Sequence, residues 1–294
     1  MRTHRKGRAV VALLIAALAA MAMSASAQAT LTGAFTRFAQ CPYKNAEAKK
    51  CIISVTNSGE VVLGSKKVPI VNPVTLQGGV TAVTAGFGKM IAATNGITLS
   101  KTAQPVPGGL AGIVNCKEIK EFFLRVACEV TFENGLTGLN STLELAQSPS
   151  NVLVNEFNLA GEEGVALKMP IKVHLENPFL GSSCYVGSEK SPIIWNLTSG
   201  TSTPPNPLTG SGGEGEFLEG GRIIELKNNI LVDGAWAAPG VSGCGGFPAE
   251  LLLNPIINAA AGLPAKAGLN TAILKNTVST AATGAVKKND EEHP

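Results

Sequence analysis

The residues best suited to chemistry lie in "NPFLGSSCYVGSEKSPIIWNLTSG", residues 177–200, which gathers Ser182, Ser183, Cys184, Tyr185 and Trp195. A serine nucleophile there would need a base to take its proton and a carboxylate to orient that base. His174 is the candidate base and Asp233 the candidate carboxylate, since the chain's other aspartate, Asp290, falls in the charged tail. The elbow-like string "GVSGC", residues 240–244, departs from G-x-S-x-G at its last position. His174 shares its strand face with Lys168, Lys172 and Glu176, which reads as a solvated histidine.

Glu162 and Glu163 form a visible carboxylate pair of the kind glycosidases use, but neighbours in a turn do not face one cleft. Glu214, Glu216 and Glu219 could hold calcium weakly, although such sites favour several aspartates. Neither G-x-x-x-x-G-K-[ST] nor H-E-x-x-H occurs, and "GLAGIVN" lacks the glycine spacing of a nucleotide loop. No catalytic, cofactor-binding or metal-ligating residue is assigned on this reading, and the balance leans away from an enzyme.

Cysteine supplies the clearer chemistry. Cys41, Cys51, Cys116, Cys128, Cys184 and Cys244 are an even set, with no CxxC and with His174 and His293 as the histidines beyond the N-terminal segment. That favours disulfides over a metal or a free nucleophile. Six cysteines allow about 15 connectivities. Pairing of neighbours, Cys41 with Cys51, Cys116 with Cys128 and Cys184 with Cys244, is the expectation.

The elements that must position these residues read as strands. "ALKMPIKVHLE" alternates Leu167, Met169, Ile171, Val173 and Leu175 with polar residues and Pro170, a strand with one buried face. Pro170 donates no hydrogen bond and is expected at an edge or a bulge. "EFFLRVACEVTFENG" alternates from Phe122 to Phe132, and Asn134-Gly135 supplies a tight turn into "LTGLNSTLELA". Further candidates are "CIISVTN", "VVLG", "VTLQGGVTAVT", "NGITLS", "PIIWNLT", "GRIIELK" and "NILVDGAW". Short strands between Gly, Pro and Asn turns predict a mainly β protein, an antiparallel sandwich or barrel-like domain.

Residues 198–216 read as a long mobile Pro/Gly/Ser insertion. After Pro248 the β character is expected to end. The predicted organisation is a signal peptide at 1–27, a β-rich domain at 28–248, an apolar, partly helical segment packed on the domain at 249–286, and a disordered charged tail at 287–294.

The start fits export: Arg2, Arg5, Lys6 and Arg8 precede an apolar run from Val10 to Met23 and the small-x-small site Ala25-Ser26-Ala27. Cleavage after Ala27 or Ala29 is expected, leaving no integral membrane span. Removing residues 1–27 takes away four of 24 Lys and Arg and none of 21 Asp and Glu, so a net charge of +3 becomes −1. That gives no support for nucleic-acid binding, which needs a clustered positive excess. Trp195, Trp236, Tyr43 and Tyr185 are the chain's only Trp and Tyr, too few for a carbohydrate platform.

"HLENPFLGSSCYVGS", the Pro/Gly loop, "GCGG" and "LLLNPIINAAAGLP" together resemble uncharacterised secreted proteins of actinobacterial type. The resemblance implies a secreted location and a Cys184–Cys244 pairing, and it implies no activity. With no catalytic constellation assigned, the leading expectation is a secreted, disulfide-stabilised, non-catalytic cell-envelope or extracellular structural or interaction module, with a cell-envelope component as its partner. The alternative is a carrier with an apolar or lipid-like ligand in a β cavity, capped by the C-terminal segment or lying behind Trp195. A secreted hydrolase comes last, and the oligomeric state is left open.

Overall fold

Period-two alternation and bulges explain most of the strands. The computed structural model describes residues 31–84, 86–109, 120–122, 125 and 138–293. In the first half the strands are β1 (Lys50–Leu63), β2 (Lys66–Ile70), β3 (Val74–Val80), β4 (Gly88–Ile91), β5 (Ala103–Pro105), β6 (Asn140–Leu145) and β7 (Leu153–Val154). The second half adds β8 (Leu167–Glu176), β9 (Tyr185–Val186), β10 (Ile193–Leu197), β11 (Glu214–Leu218), β12 (Ile223–Asp233), β13 (Val241–Ser242) and β14 (Thr271–Ala282). Helices α1 (Glu156–Gly161), α2 (Glu250–Ala261) and α3 (Thr283–Glu292) and a 3-10 helix, Gly33–Phe38, pack around them. Every named ladder is antiparallel.

The hydrogen-bonded path runs full circle. It passes from β12 through β14, β1, β3, β4 and β7 to β8, which also pairs with β10. Just beyond β10, Thr198 and Val232 of β12 exchange both backbone bonds, at 3.0 and 2.8 Å, and the path returns to its start. Inside lies the main core, with Trp195, Ile171, Ile193 and Leu197 fully buried. Trp195 and Trp236 meet edge to face at 6.0 Å between centroids. The outer face of β1, β12 and β14 carries a second core: Phe35 and Phe38 of the 3-10 helix, Tyr43, Ile223, Ala281, Val286 and the Cys41–Cys51 disulfide.

Several sequence expectations need correction. The segment after Pro248 does hold a helix, α2, but β character does not end there. β14 lies between β1 and β12, the most extensively paired position in the sheet. Its alternation was masked because its C-terminal part is buried on both faces, with Val278 turned inward and Ser279 and Ala281 covered on the outer side. Residues 287–292 are not a disordered tail: they continue α3, whose Val286 and Asn289 are buried. Lys287–Glu291 and Lys288–Glu292 run opposite to the helix dipole's preference, so docking holds α3 in place. Asn289 Oδ1 accepts from Thr32 N at 2.9 Å, and Lys44 pairs with Asp290 at 3.0 Å.

Pro170 lies in an interior strand, not at an edge. Its carbonyl accepts from Ala146 N, so its nitrogen points the same way, into the gap where β7 gives place to β6. Residues 198–216 are tied down throughout, with Ser202 N on Leu208 O, Gly210 N on Gly200 O and Ser211 exchanging bonds with Ile230. Most of the strand read at 122–132, its Asn134-Gly135 turn and the cysteines Cys116 and Cys128 lie outside the described residues. The return segment includes β6, which pairs with β5 and β8.

Candidate functional site

The serine–histidine reading can be judged from β8. This strand carries His174 toward a surface depression of about 370 Å³ that Glu176, Asn177, Gly181 and Ser182 also line. The structure therefore gathers a serine, a histidine and a carboxylate. Nδ1 of His174 lies 3.5 Å from Glu176 Oε1, and its ring stacks on Tyr185 at 4.5 Å. Nε2, the nitrogen that would face a serine, is buried without a hydrogen-bond partner among the described residues. Ser183 Oγ instead donates to Gly243 O at 2.9 Å, and Cys184 is joined to Cys244.

Asp233 serves elsewhere. Its oxygens accept from Asn196 N at 2.7 Å and Ala235 N at 2.9 Å, tying β10 to the end of β12. Burial raises its carboxyl above the ordinary aspartate value, against the lowering effect of those two N–H groups.

The carboxylates considered for glycosidase or calcium chemistry are likewise dispersed. Glu162 caps α1 in a left-handed conformation and accepts from Gly212 N at 2.7 Å. Glu216 pairs with Lys227, and Glu219 Oε1 accepts from Ala34 N at 2.7 Å. Among the described residues no three His, Cys, Asp or Glu side chains gather as a metal site.

Apolar concavities remain, and they follow the interior face of β1. Beneath α2 lies a cleft of about 60 Å³, lined by Val61, Ile70, Val173, Val186, Ile257 and Leu263. Beside Trp195 is a space of about 30 Å³, bounded by Ser54, Leu231 and Asn276. Both hold water-sized guests, well short of the roughly 300–1,000 Å³ of ligand pockets. The expected cavity behind Trp195 and the α2-capped cavity are thus too small for a lipid.

At the Lys50 end the same face of the sheet opens into a groove of about 390 Å³. Leu226, Val278 and Thr280 form its floor, Leu159 and Phe157 of α1 one wall, and Ile224 the opposite rim. Phe157 is 78% exposed and Ile224 45%, which puts large apolar surface at the mouth.

The Pro/Gly segment sets the position of α1. A side chain at Gly200 would collide with Glu162 O, and one at Gly212 with Ala160 O, so glycine permits the close approach. Asn229 Nδ2 donates to Leu159 O, Ser211 O and Gly212 O, and Ser199 Oγ to Asn158 O. The N-terminal end of α1 is held by the ion pair between Lys50 and Glu156 at the groove's polar end.

The sequence drew attention to the loop and missed the groove, because its lining comes from four separated segments with ordinary apolar residues.

No protein-family model, curated protein or solved structure matches the chain.

Proposed function

We propose that the chain is a secreted, disulfide-stabilised, non-catalytic binding protein that holds an apolar or lipid-like ligand in the groove between α1 and the ends of β12 and β14. The observation that carries this reading is the groove's volume of about 390 Å³ combined with a floor of Leu226 and Val278 and an exposed Phe157 and Ile224 at its mouth. Apolar side chains kept in water at the entrance of an apolar concavity are the arrangement a ligand would cover. Two disulfides suit an oxidising location, and among the described residues no helix is long and apolar enough to cross a membrane.

Native mass spectrometry of the purified protein before and after organic extraction tests the reading. Bound apolar species should be present before extraction, and saturable binding of added decyl methyl ether should appear after it. Ile224→Lys, a change at an exposed rim residue, should abolish that binding while leaving the fold intact. A ligand-free mass together with no saturable ether binding by the wild-type protein would reject the proposal.

A second reading, a module that docks on a cell-envelope partner, draws support from a different surface. Phe247 and Leu251 are 82% and 71% exposed at the start of α2, with Leu252 and Phe179 also exposed nearby in the chain or fold. Gly245 N donates to Leu180 O, which brings the Phe179 and Phe247 segments together. The depression beside Phe179 has a mainly polar lining of His174, Glu176, Asn177 and Ser182, whereas the groove's floor is apolar, so this reading ranks second.

A further inference from the structure

Glu156 divides its two oxygens unequally. Oε2 is engaged by Lys50, whereas Oε1 is buried and has no hydrogen-bond partner among the described residues. A buried acceptor left unpaired costs about 1–3 kcal/mol, more when it carries charge, so such an atom calls for a donor. Glu156 lines the groove, and the groove's floor and walls are otherwise apolar except for Lys50 and Thr280. Lys50 and Glu156 cancel each other's formal charge, so the polar end presents an acceptor without a net field.

We infer that the groove selects a neutral lipid whose head donates a hydrogen bond, such as a long-chain alcohol, with its hydroxyl on Glu156 Oε1 and its chain along Leu226, Val278 and Phe157. This rests on the carrier reading and adds the head-group class. Complementarity sets the choice of head. An ammonium head would bring an uncompensated charge into an apolar groove whose carboxylate Lys50 already neutralises, and a carboxylate, an ester or an ether offers no donor to Oε1. A hydroxyl satisfies the acceptor and leaves the existing ion pair undisturbed. Charge-assisted hydrogen bonds are stronger than neutral ones, so the discrimination should be large.

Calorimetric titration of extracted protein with 1-decanol and with decyl methyl ether, matched in chain length, separates the alternatives. The wild-type protein should bind decanol at least about tenfold more tightly than the ether, the ratio expected for one hydrogen bond to a charged acceptor. Glu156→Met, which removes the acceptor and keeps the side-chain length, should bring the ratio of the two affinities close to one, whatever the loss of the ion pair does to both ligands alike. Circular dichroism would show that the variant is folded, and Lys50→Met, which removes the ion pair but keeps Oε1, should retain the preference for decanol, separating loss of the acceptor from loss of the ion pair. Equal affinities in the wild-type protein would overturn the head-group inference and leave the carrier standing, as would preference for decylamine or decanoate over decanol. No binding of any member of the series would overturn the carrier reading itself.

Discussion

Arg37, on the 3-10 helix, reaches across 188 positions of sequence to the Glu225 carboxylate, which Ser279 Oγ also approaches at 3.0 Å. Burial would raise the Glu225 carboxyl. The hydrogen bonds from Arg37 and Ser279 and the charges of Arg37 and Lys227 outweigh it and hold the group below the ordinary glutamate value. A depressed folded value gives stability that is present above the unfolded value and lost as pH falls through the folded one. Glu225→Gln should therefore cost about 2 kcal/mol at neutral pH, and that difference from wild type should shrink in acid. Urea denaturation at pH 7 and across the acid range measures both. Asp233 has the opposite sign: its raised value favours the fold below the ordinary aspartate value, and that contribution fades as pH rises through the folded value. None of this was legible in the sequence. Glu225 reads as one polar residue of "GRIIELK", and its partner Arg37 lies in a segment with no strand signal.

Elements were legible where one face meets the core and the other meets water. β8 shows this, from Leu167 to Leu175, with Lys168 exposed and Lys172 and His174 half-buried. Strands read as separate pieces join where a bulge interrupts the alternation. "CIISVTN" and "VVLG" form one β1 with an irregularity between Thr56 and Ser58, and "GRIIELK" and "NILVDGAW" meet in β12 at Asn228, whose φ is 56°. The loop at 198–216 was misjudged because its glycines signal close packing here, not freedom. Gly212→Val should drive α1 away from the loop and destabilise the protein by about 1–3 kcal/mol, the usual range for overpacking. Differential scanning calorimetry would detect it, and decyl methyl ether affinity should fall in the same variant because Leu159 and Phe157 move with α1. An unchanged melting temperature would contradict the packing role given to Gly212.

For the whole molecule, the two described disulfides pin different cores. Cys41–Cys51 fastens the second core to β1, whereas Cys184–Cys244 joins the segment after β8 to the approach to α2 across 60 positions. Closing a loop of that length lowers unfolded-state entropy, an effect of about 4 kcal/mol. The double variant Cys184→Ala with Cys244→Ala should lose about that much in urea denaturation. A loss confined to a few tenths would mean that Asn254 Oδ1 on Cys244 N and Asn258 Oδ1 on Val241 N already hold α2 in place. The even cysteine count indicated disulfides, and these two match the expected pairing of neighbours, but the count did not indicate which core each would serve.

The position of β14 has a temporal consequence. Residues 271–282 fill the slot between β1 and β12, strands whose sequences begin 221 and 48 positions earlier. Until those last residues emerge, β1 and β12 face each other across a missing strand, each presenting an unpaired backbone edge. A chain that emerges N-terminus first therefore cannot complete its sheet until β14 is available. Until then the facing edges of β1 and β12 stay open to wrong pairing.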